Sequence, residues 1–310
     1  MEVRHQREAL REGRKDCAPD DFVFGPATSL RAAVRLAARQ GLVRAVSSFA
    51  TSGSSPERPL KVCFCLELFC GSARWSRSVG RQGFYVIAID MRYGADHDLS
   101  RRDLQQKIRG WVQAHWVIAV LAGFPCTSFS RARNMPGGPP ALRTTEYIAG
   151  LPGLRACDQA KVDMGNSLLR WVVAITRACL VSKTVCILEN PWTSWAWKMP
   201  SLVSLLRDKR MSFTRSDFCC WGTPWRKSTG FATCNMPTHG FARACRGRKV
   251  CDNTGCPHCV LKGQNEQGVF WTLIAEPYPE KLCRALARGV DLGWREMSSR
   301  PMAAILERGC

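Results

Sequence analysis

A chain of 310 residues with net charge +20 and a pI near 9.7 can bury a large core, with one main domain and a small second one, and its field favours polyanions, nucleic acid above all. With 45% hydrophobic and 23% charged residues it has the balance of a soluble globular protein, and no apolar run is long enough to span a bilayer. The start, Met1 to His5, lacks the apolar core of a signal peptide, so the 17 cysteines are expected reduced in an intracellular compartment, nuclear in a eukaryote.

Residues 1–58 read as a basic tail. Arg4, Arg7, Arg11, Arg14 and Lys15 alternate with Glu8, Glu12 and Asp16, the pattern of a solvated helix. Ser29 to Val46 has apolar residues at helical spacing, and Thr51 to Pro56 reads as a linker.

A catalytic core is expected over 59–205. Lys61–Phe69 reads as a strand, Gly71-Ser72 as a turn and Ala73–Arg81 as a helix. That shape lets a cofactor approach the backbone at a helix N-terminus. Phe84–Ile89 is the next strand, and Asp90 ends it about 20 residues after Gly71, the spacing at which a carboxylate takes the ribose hydroxyls of a nucleoside cofactor. A loop or N-cap role is the competing reading for Asp90, and a simple loop role for Asp98. Ser100 and Asp103 have the spacing of a capping box.

Trp116–Ala122 is an apolar run that reads as a buried strand. Gly123 ends it, Pro125 stiffens the turn, and Cys126 falls at the carboxyl edge of the sheet, where a thiol can act as a nucleophile. A small buried cysteine in a βα loop is the alternative. The following loop, through Pro152-Gly153, has the length of a lid, and Arg131 and Arg133 are placed to reach phosphates. Gly165–Val181 reads as a helix. Val185–Leu188 reads as a strand delivering Glu189 to the edge that carries Cys126; a carboxylate after a buried strand needs a task or a partner. Trp192, Trp195 and Trp197 read as anchors of the next loop.

The composition shifts over 206–268, expected as a small basic, Cys-rich lobe facing nucleic acid. Between Leu206 and Lys262, eleven Lys/Arg stand against three Asp/Glu, an excess of eight positive charges. Within it Cys245, Cys251, Cys256, His258 and Cys259 have the residue types of a tetrahedral zinc site. The expected ligands are Cys245, Cys251 and Cys256, with either His258 or Cys259 as the fourth. Residues 269–310 read as a loop, Ala275–Pro279, then a helix over Glu280–Arg288 and a tail.

The ordered set Phe69-Cys70-Gly71-Ser72-Ala73, Asp90, Pro125-Cys126, Glu189-Asn190-Pro191 and Trp221-Gly222-Thr223-Pro224 resembles the motifs of the cytosine-5 DNA methyltransferases. The resemblance covers roughly 61–289, and Ala275-Glu276-Pro277-Tyr278-Pro279 with the helix after it resembles, more loosely, the family's last motif, a loop and helix that return to the cofactor edge. Ala73 replaces the family's second glycine, Pro191 follows Glu-Asn where the family has Val, and Lys227 and Thr229 replace an Arg-x-Arg pair. The resemblance implies a Rossmann-like, S-adenosylmethionine-dependent methyltransferase sheet. It assigns Phe69, Gly71, Asp90, Asp98 and Pro125 to the cofactor, and Cys126, Glu189 and Lys227 to the chemistry. The expected activity is methyl transfer to carbon 5 of cytosine in DNA through a covalent bond to Cys126. RNA as the substrate, or a degenerate nucleic-acid-binding protein, remain the alternatives.

Overall fold

The structure is a computed structural model that describes residues 63–134 and 138–298. The expected tail, 1–58, lies outside the described residues. Six strands form one sheet: β1 (Phe64–Leu68), β2 (Tyr85–Ile89), β3 (Val117–Ala122), β4 (Val185–Pro191), β5 (Met211–Asp217) and β6 (Ser228–Cys234). Their order is β2-β1-β3-β4-β6-β5. The first four are parallel, and β6 runs antiparallel to both β4 and β5. The result is an α/β protein with a mixed, mostly parallel sheet, compatible with a Rossmann-like fold.

The helices are α1 (Arg74–Gly80), α2 (Arg102–Gln113), α3 (Ala156–Val181), α4 (Pro200–Leu206), α5 (Trp271–Ile274) and α6 (Glu280–Ser298). They cover both faces, which is why the central strands are apolar throughout instead of alternating. On one face Leu66, Leu68, Val120 and Leu188 pack with Ile108 and Val112 of α2 and Leu169 and Val172 of α3. On the other, Cys65, Leu121, Ile187 and Phe231 pack with Trp75 and Val79 of α1 and Leu282 and Leu286 of α6.

The chain passes from β1 outward to β2, then returns to the opposite side of β1 for β3. In an open sheet this reversal leaves a crevice at the carboxyl ends of β1 and β3, where such folds take ligands. Because β6 is reversed, its first residues reach the same edge as the last residues of β4: Pro191 pairs with Thr229 and Glu189 with Phe231. The topology therefore brings the segments after β1, β2 and β3, the end of β4 and the start of β6 to one rim.

Several elements differ from the sequence expectation. Glu189, Asn190 and Pro191 lie within β4, since their pairing with β6 extends the strand past Leu188. α3 begins at Ala156 instead of Gly165; its first turns bury only Asp158 and Val162, so they carry no apolar stripe to read. The segment 206–234, read from its charge as part of a separate lobe, contributes β5 and β6 to the sheet. α6 continues to Ser298, ten residues past the expected Arg288. α2 starts after Arg101 with no side-chain cap, and the carboxylate of Asp98 accepts from Ser100 N instead of Ser100 capping the helix. No helix among the described residues is long and apolar enough to cross a membrane.

The loop after Cys126, read as a lid, is organised around Arg143. This guanidinium is 1% exposed. It donates to Ser128 O, Ser128 Oγ, Ile148 O, Val162 O and Asn166 Oδ1 at 2.8–3.3 Å. It also lies 4.0 Å from the centre of the Phe129 ring. Burial holds its pKa down to about 10. Arg133 donates to Pro140 O, and Arg131 lies over the Trp195 ring, so both read as braces of the loop before any phosphate contact. Trp195 and Trp197 are buried anchors, as their sequence context implies.

Candidate active site

The turn after β1 is built from alternating left-handed residues: Phe69 (φ 57°), Gly71 (φ 52°) and Ala73 (φ 51°). Left-handed backbone is costly for residues with a Cβ. It is held here by three hydrogen bonds. Ala73 N donates to Cys70 O, Gly71 N donates to Asp90 Oδ2 at 2.9 Å, and Tyr93 Oη donates to Gly71 O at 2.8 Å. Asp90 also accepts from Arg92 N through Oδ1 at 2.9 Å. Both its oxygens thus brace the turn, and each keeps a lone pair for a further donor. A Cβ on Gly71 would face Glu276 Oε1 at 3.4 Å and Arg92 Nη1 at 3.7 Å, and these two side chains form an exposed ion pair across the turn.

Beneath the turn lies Glu67, 1% exposed. Its carboxylate accepts from Ser76 N at 2.8 Å and Ser76 Oγ at 2.5 Å, in the first turn of α1. Burial raises its pKa from 4.5 to about 7, against the pull of these hydrogen bonds and Arg77. It satisfies a backbone donor that the helix start leaves open.

After β3, Gly123 N donates to Leu68 O, and the chain turns outward through exposed Pro125 to half-buried Cys126. Asn190, fully buried on β4, donates through Nδ2 to Phe124 O at 2.8 Å and fixes this loop against the next strand. Its Oδ1 is buried with no hydrogen-bond partner among the described residues. Phe129 N donates to Cys126 O, and Ser128 is held by Arg143. The loop is therefore pinned on both sides of Cys126.

Glu189 is 8% exposed and accepts from Tyr278 Oη at 2.9 Å. Burial raises its pKa, opposed by the Lys227 charge and the Tyr278 hydrogen bond. Tyr278 is itself raised well above its ordinary value by burial and by Glu189. Lys227 Nζ donates to Ala275 O at 2.9 Å and Glu276 O at 3.3 Å and lies over the Phe218 ring. Burial raises the Cys126 thiol, Glu189 raises it further, and Lys227 draws it down. Gly123 permits this packing: a Cβ there would sit 2.5 Å from Tyr278 Oη and 3.4 Å from Glu189 Oε2. Arg74 Nη1 donates to Tyr278 O and ties the segment before α6 to the helix after the glycine turn.

The structure thus brings Cys126, Glu189 and Lys227 into one electrostatic group beside a turn formed by Phe69, Gly71 and Asp90. Asp98 stands farther along, half-buried, in the loop before α2. Tyr278 and Glu276 complete the site and were not singled out by sequence. Their signal is the loose resemblance of Ala275–Pro279 and the following helix to a loop and helix that return to the cofactor edge. The acceptors here, the carboxylates of Asp90 and Glu276 at the turn and of Asp98 farther along, can accept from hydroxyls, an amine and an ammonium on a ligand. The residues present fit an S-adenosylmethionine-like molecule in that respect.

A second cluster lies beyond the end of β5. Cys219, Cys245, Cys251 and His258 place their four ligand atoms within 4.8 Å of one another and can hold a metal ion. The three sulfurs are buried and His258 half-buried. Cys245 and His258 are among the expected ligands, as is Cys251. Cys256 and Cys259 are not in the cluster: both are exposed, and Cys256 Sγ donates to Thr254 O instead. The Cys-x-x-Cys spacing of 256–259 sits on a turn whose backbone bonds, Cys251 N to Cys256 O and His258 N to Lys249 O, aim His258 inward and the two cysteines outward. The missing ligand, Cys219, lies 26 residues before Cys245 (245 − 219), and only the Cys219-Cys220 pair marked it.

In comparisons with known proteins, no family model matches this chain, and no curated protein matches it.

Proposed function

We propose that this protein methylates carbon 5 of cytosine in DNA. The observation that carries the reading is the convergence of Cys126, Glu189 and Lys227, from three separate strand ends, on the rim that also holds the Gly71–Asp90 turn. S-adenosylmethionine supplies the methyl group when bound, and Phe69, Gly71, Asp90, Asp98 and Pro125 are the residues that would hold it. The chain's own residues activate the ring, whose carbon 5 is a poor nucleophile. Glu189, kept toward its protonated form by burial, donates a proton to the ring nitrogen. Cys126 gives up its proton to solvent water and its sulfur adds to carbon 6, so that the ring's electron density is available at carbon 5. Lys227 holds positive charge beside both groups and favours the thiolate as it forms. When carbon 5 gives up its proton to solvent water, that electron pair restores the ring double bond and the bond from Cys126 to carbon 6 breaks with its pair on sulfur. The ring nitrogen returns its proton to Glu189, and the thiolate is restored. Tyr278 orients the Glu189 carboxyl throughout.

A cytosine in a duplex must leave the stack to reach such a site. Arg246, Arg248 and Lys249 are exposed on the loop beyond β6 and offer phosphate contacts. The test is transfer from methyl-labelled S-adenosylmethionine to DNA and tRNA in parallel, with nucleoside analysis of the product. Label in 5-methyldeoxycytidine, lost in Cys126→Ser, is the expected result. Label confined to RNA replaces the substrate; label on an exocyclic amine replaces the chemistry; a folded protein that labels neither nucleic acid supports a degenerate binder.

A further inference from the structure

We propose that Cys219, Cys245, Cys251 and His258 bind one structural zinc ion that staples the irregular segment 241–262 to the end of β5. This goes beyond the methyl-transfer reading and stands independently of it. Cys245 Sγ lies 4.0 Å from Cys251 Sγ and 3.6 Å from His258 Nε2. A tetrahedral zinc with Zn–S near 2.3 Å and Zn–N near 2.05 Å requires S···S of about 3.8 Å and S···N of about 3.6 Å. Two of the six ligand–ligand distances therefore already match the edges of a zinc tetrahedron, and all four ligand atoms lie within 4.8 Å of one another. Four protein ligands close the coordination sphere, which marks a structural site instead of a catalytic one, and thiolates with an imidazole suit zinc.

The backbone around the cluster is shaped for this purpose. A Cβ on Gly247 would collide with the Val250 carbonyl, so the tight return between Cys245 and Cys251 requires glycine. Val250 and Pro257 form an isolated bridge that carries His258 back to the sulfurs. Asn253 Nδ2 donates to Cys220 Sγ at 3.2 Å and to Cys251 Sγ at 3.8 Å, the kind of outer bond that supports a thiolate ligand. The segment has few buried apolar side chains, chiefly Phe241 and the cysteines themselves. Such a segment depends on a staple for its fold.

The staple also reaches the candidate active site. Asp217, fully buried, accepts from Cys245 N at 2.7 Å and pairs with Arg215. Arg226 donates to Cys245 O and Gly247 O and lies 3.5 Å from Asp217. Arg226 is the residue before Lys227, so fixing Cys245 fixes the entry to β6. The same segment presents the exposed Arg246, Arg248 and Lys249.

The test is metal analysis of the full chain, purified in reducing buffer without a polyhistidine tag. The expected content is about one zinc per chain. It should persist in the double variant Cys256→Ser/Cys259→Ser and fall at least tenfold in Cys219→Ser. Should Cys219→Ser prove insoluble, cobalt(II) titration of chelator-stripped wild-type protein decides. Thiolate-to-cobalt charge-transfer and tetrahedral d–d bands should saturate at one equivalent, unchanged in the double variant. A folded wild-type protein free of zinc, a cobalt complex without thiolate bands, or zinc lost with Cys256 and Cys259 but kept without Cys219 would each overturn the site. None of these readouts depends on methyl transfer.

Discussion

Replacing Glu67 by Gln tests how the glycine turn and the start of α1 are held. Glu67 is wholly buried, and its pKa of about 7 exceeds the ordinary 4.5 because burial penalises the charged form. The folded state therefore binds this proton more tightly than the unfolded state does. Its contribution to stability is full below pH 4.5 and is lost as pH rises through 7. The rise from 4.5 to about 7 corresponds to about 3 kcal/mol across the whole window. Most of it is traversed between pH 5 and pH 8. Gln does not titrate; it keeps an acceptor for Ser76 and adds an unpartnered amide, a cost that does not vary with pH. Urea unfolding of wild type and Glu67→Gln at pH 5 and pH 8 should show the variant gaining about 2–3 kcal/mol on wild type between the two. An unchanged difference would refute the argument that burial dominates at Glu67.

Arg143→Met removes five hydrogen bonds and leaves buried carbonyls open, so stability should fall by about 3–5 kcal/mol in urea unfolding, with faster proteolysis between 127 and 155. Arg143→Lys should restore only part, because one ammonium cannot reproduce the guanidinium fork. Gly123→Ala should push Tyr278 away from Glu189; overpacking of this kind costs about 1–3 kcal/mol, and methyl transfer should drop well beyond the loss of folded protein. Tyr278→Phe removes a hydrogen bond to the Glu189 carboxylate that holds its pKa down, so Glu189 should titrate higher. The alkaline limb of the pH–rate profile, where Glu189 loses the proton that the reaction uses, should move up with it.

Much of the sheet was legible because its strands are buried on both faces: β1, β2 and β3 are apolar runs ended by Phe69, Asp90 and Gly123, and periodicity is not needed to see them. The rim followed, since Gly71, Asp90 and Cys126 sit just past strands that length and glycine punctuation locate. β5 and β6 were not legible. β5 carries Ser212, Thr214, Arg215 and Asp217, and buried Asp217 accepts from Cys245 N, a partner 28 residues away in the chain. The start of α3 escaped because its first turns carry no apolar stripe: buried Asp158 pairs with Arg155 and Lys161 at i,i+3 spacing, which reads from sequence as a solvated face. In the metal cluster the local Cys-x-x-Cys spacing outweighed a distant cysteine, though backbone direction at the turn excludes both of its sulfurs. Tyr278 and Arg143 act through contacts 89 and 15 residues away in the chain, which no window of sequence contains.

The central claim is that Cys126 bonds to carbon 6 of a cytosine, and covalent trapping measures it directly. In 5-fluorocytosine the carbon 5 hydrogen is replaced by a fluorine that cannot leave as a proton, so the last step is blocked. Incubated with DNA containing this base and with S-adenosylmethionine, the wild-type protein should form a complex that survives a denaturing gel. Cys126→Ser should form none, because a hydroxyl is far less ionised at neutral pH. Glu189→Gln should form it about 10²–10⁴-fold more slowly. Methyl transfer that persists in Cys126→Ser, or a folded wild-type protein that traps neither DNA nor RNA carrying the fluorinated base, would contradict the account.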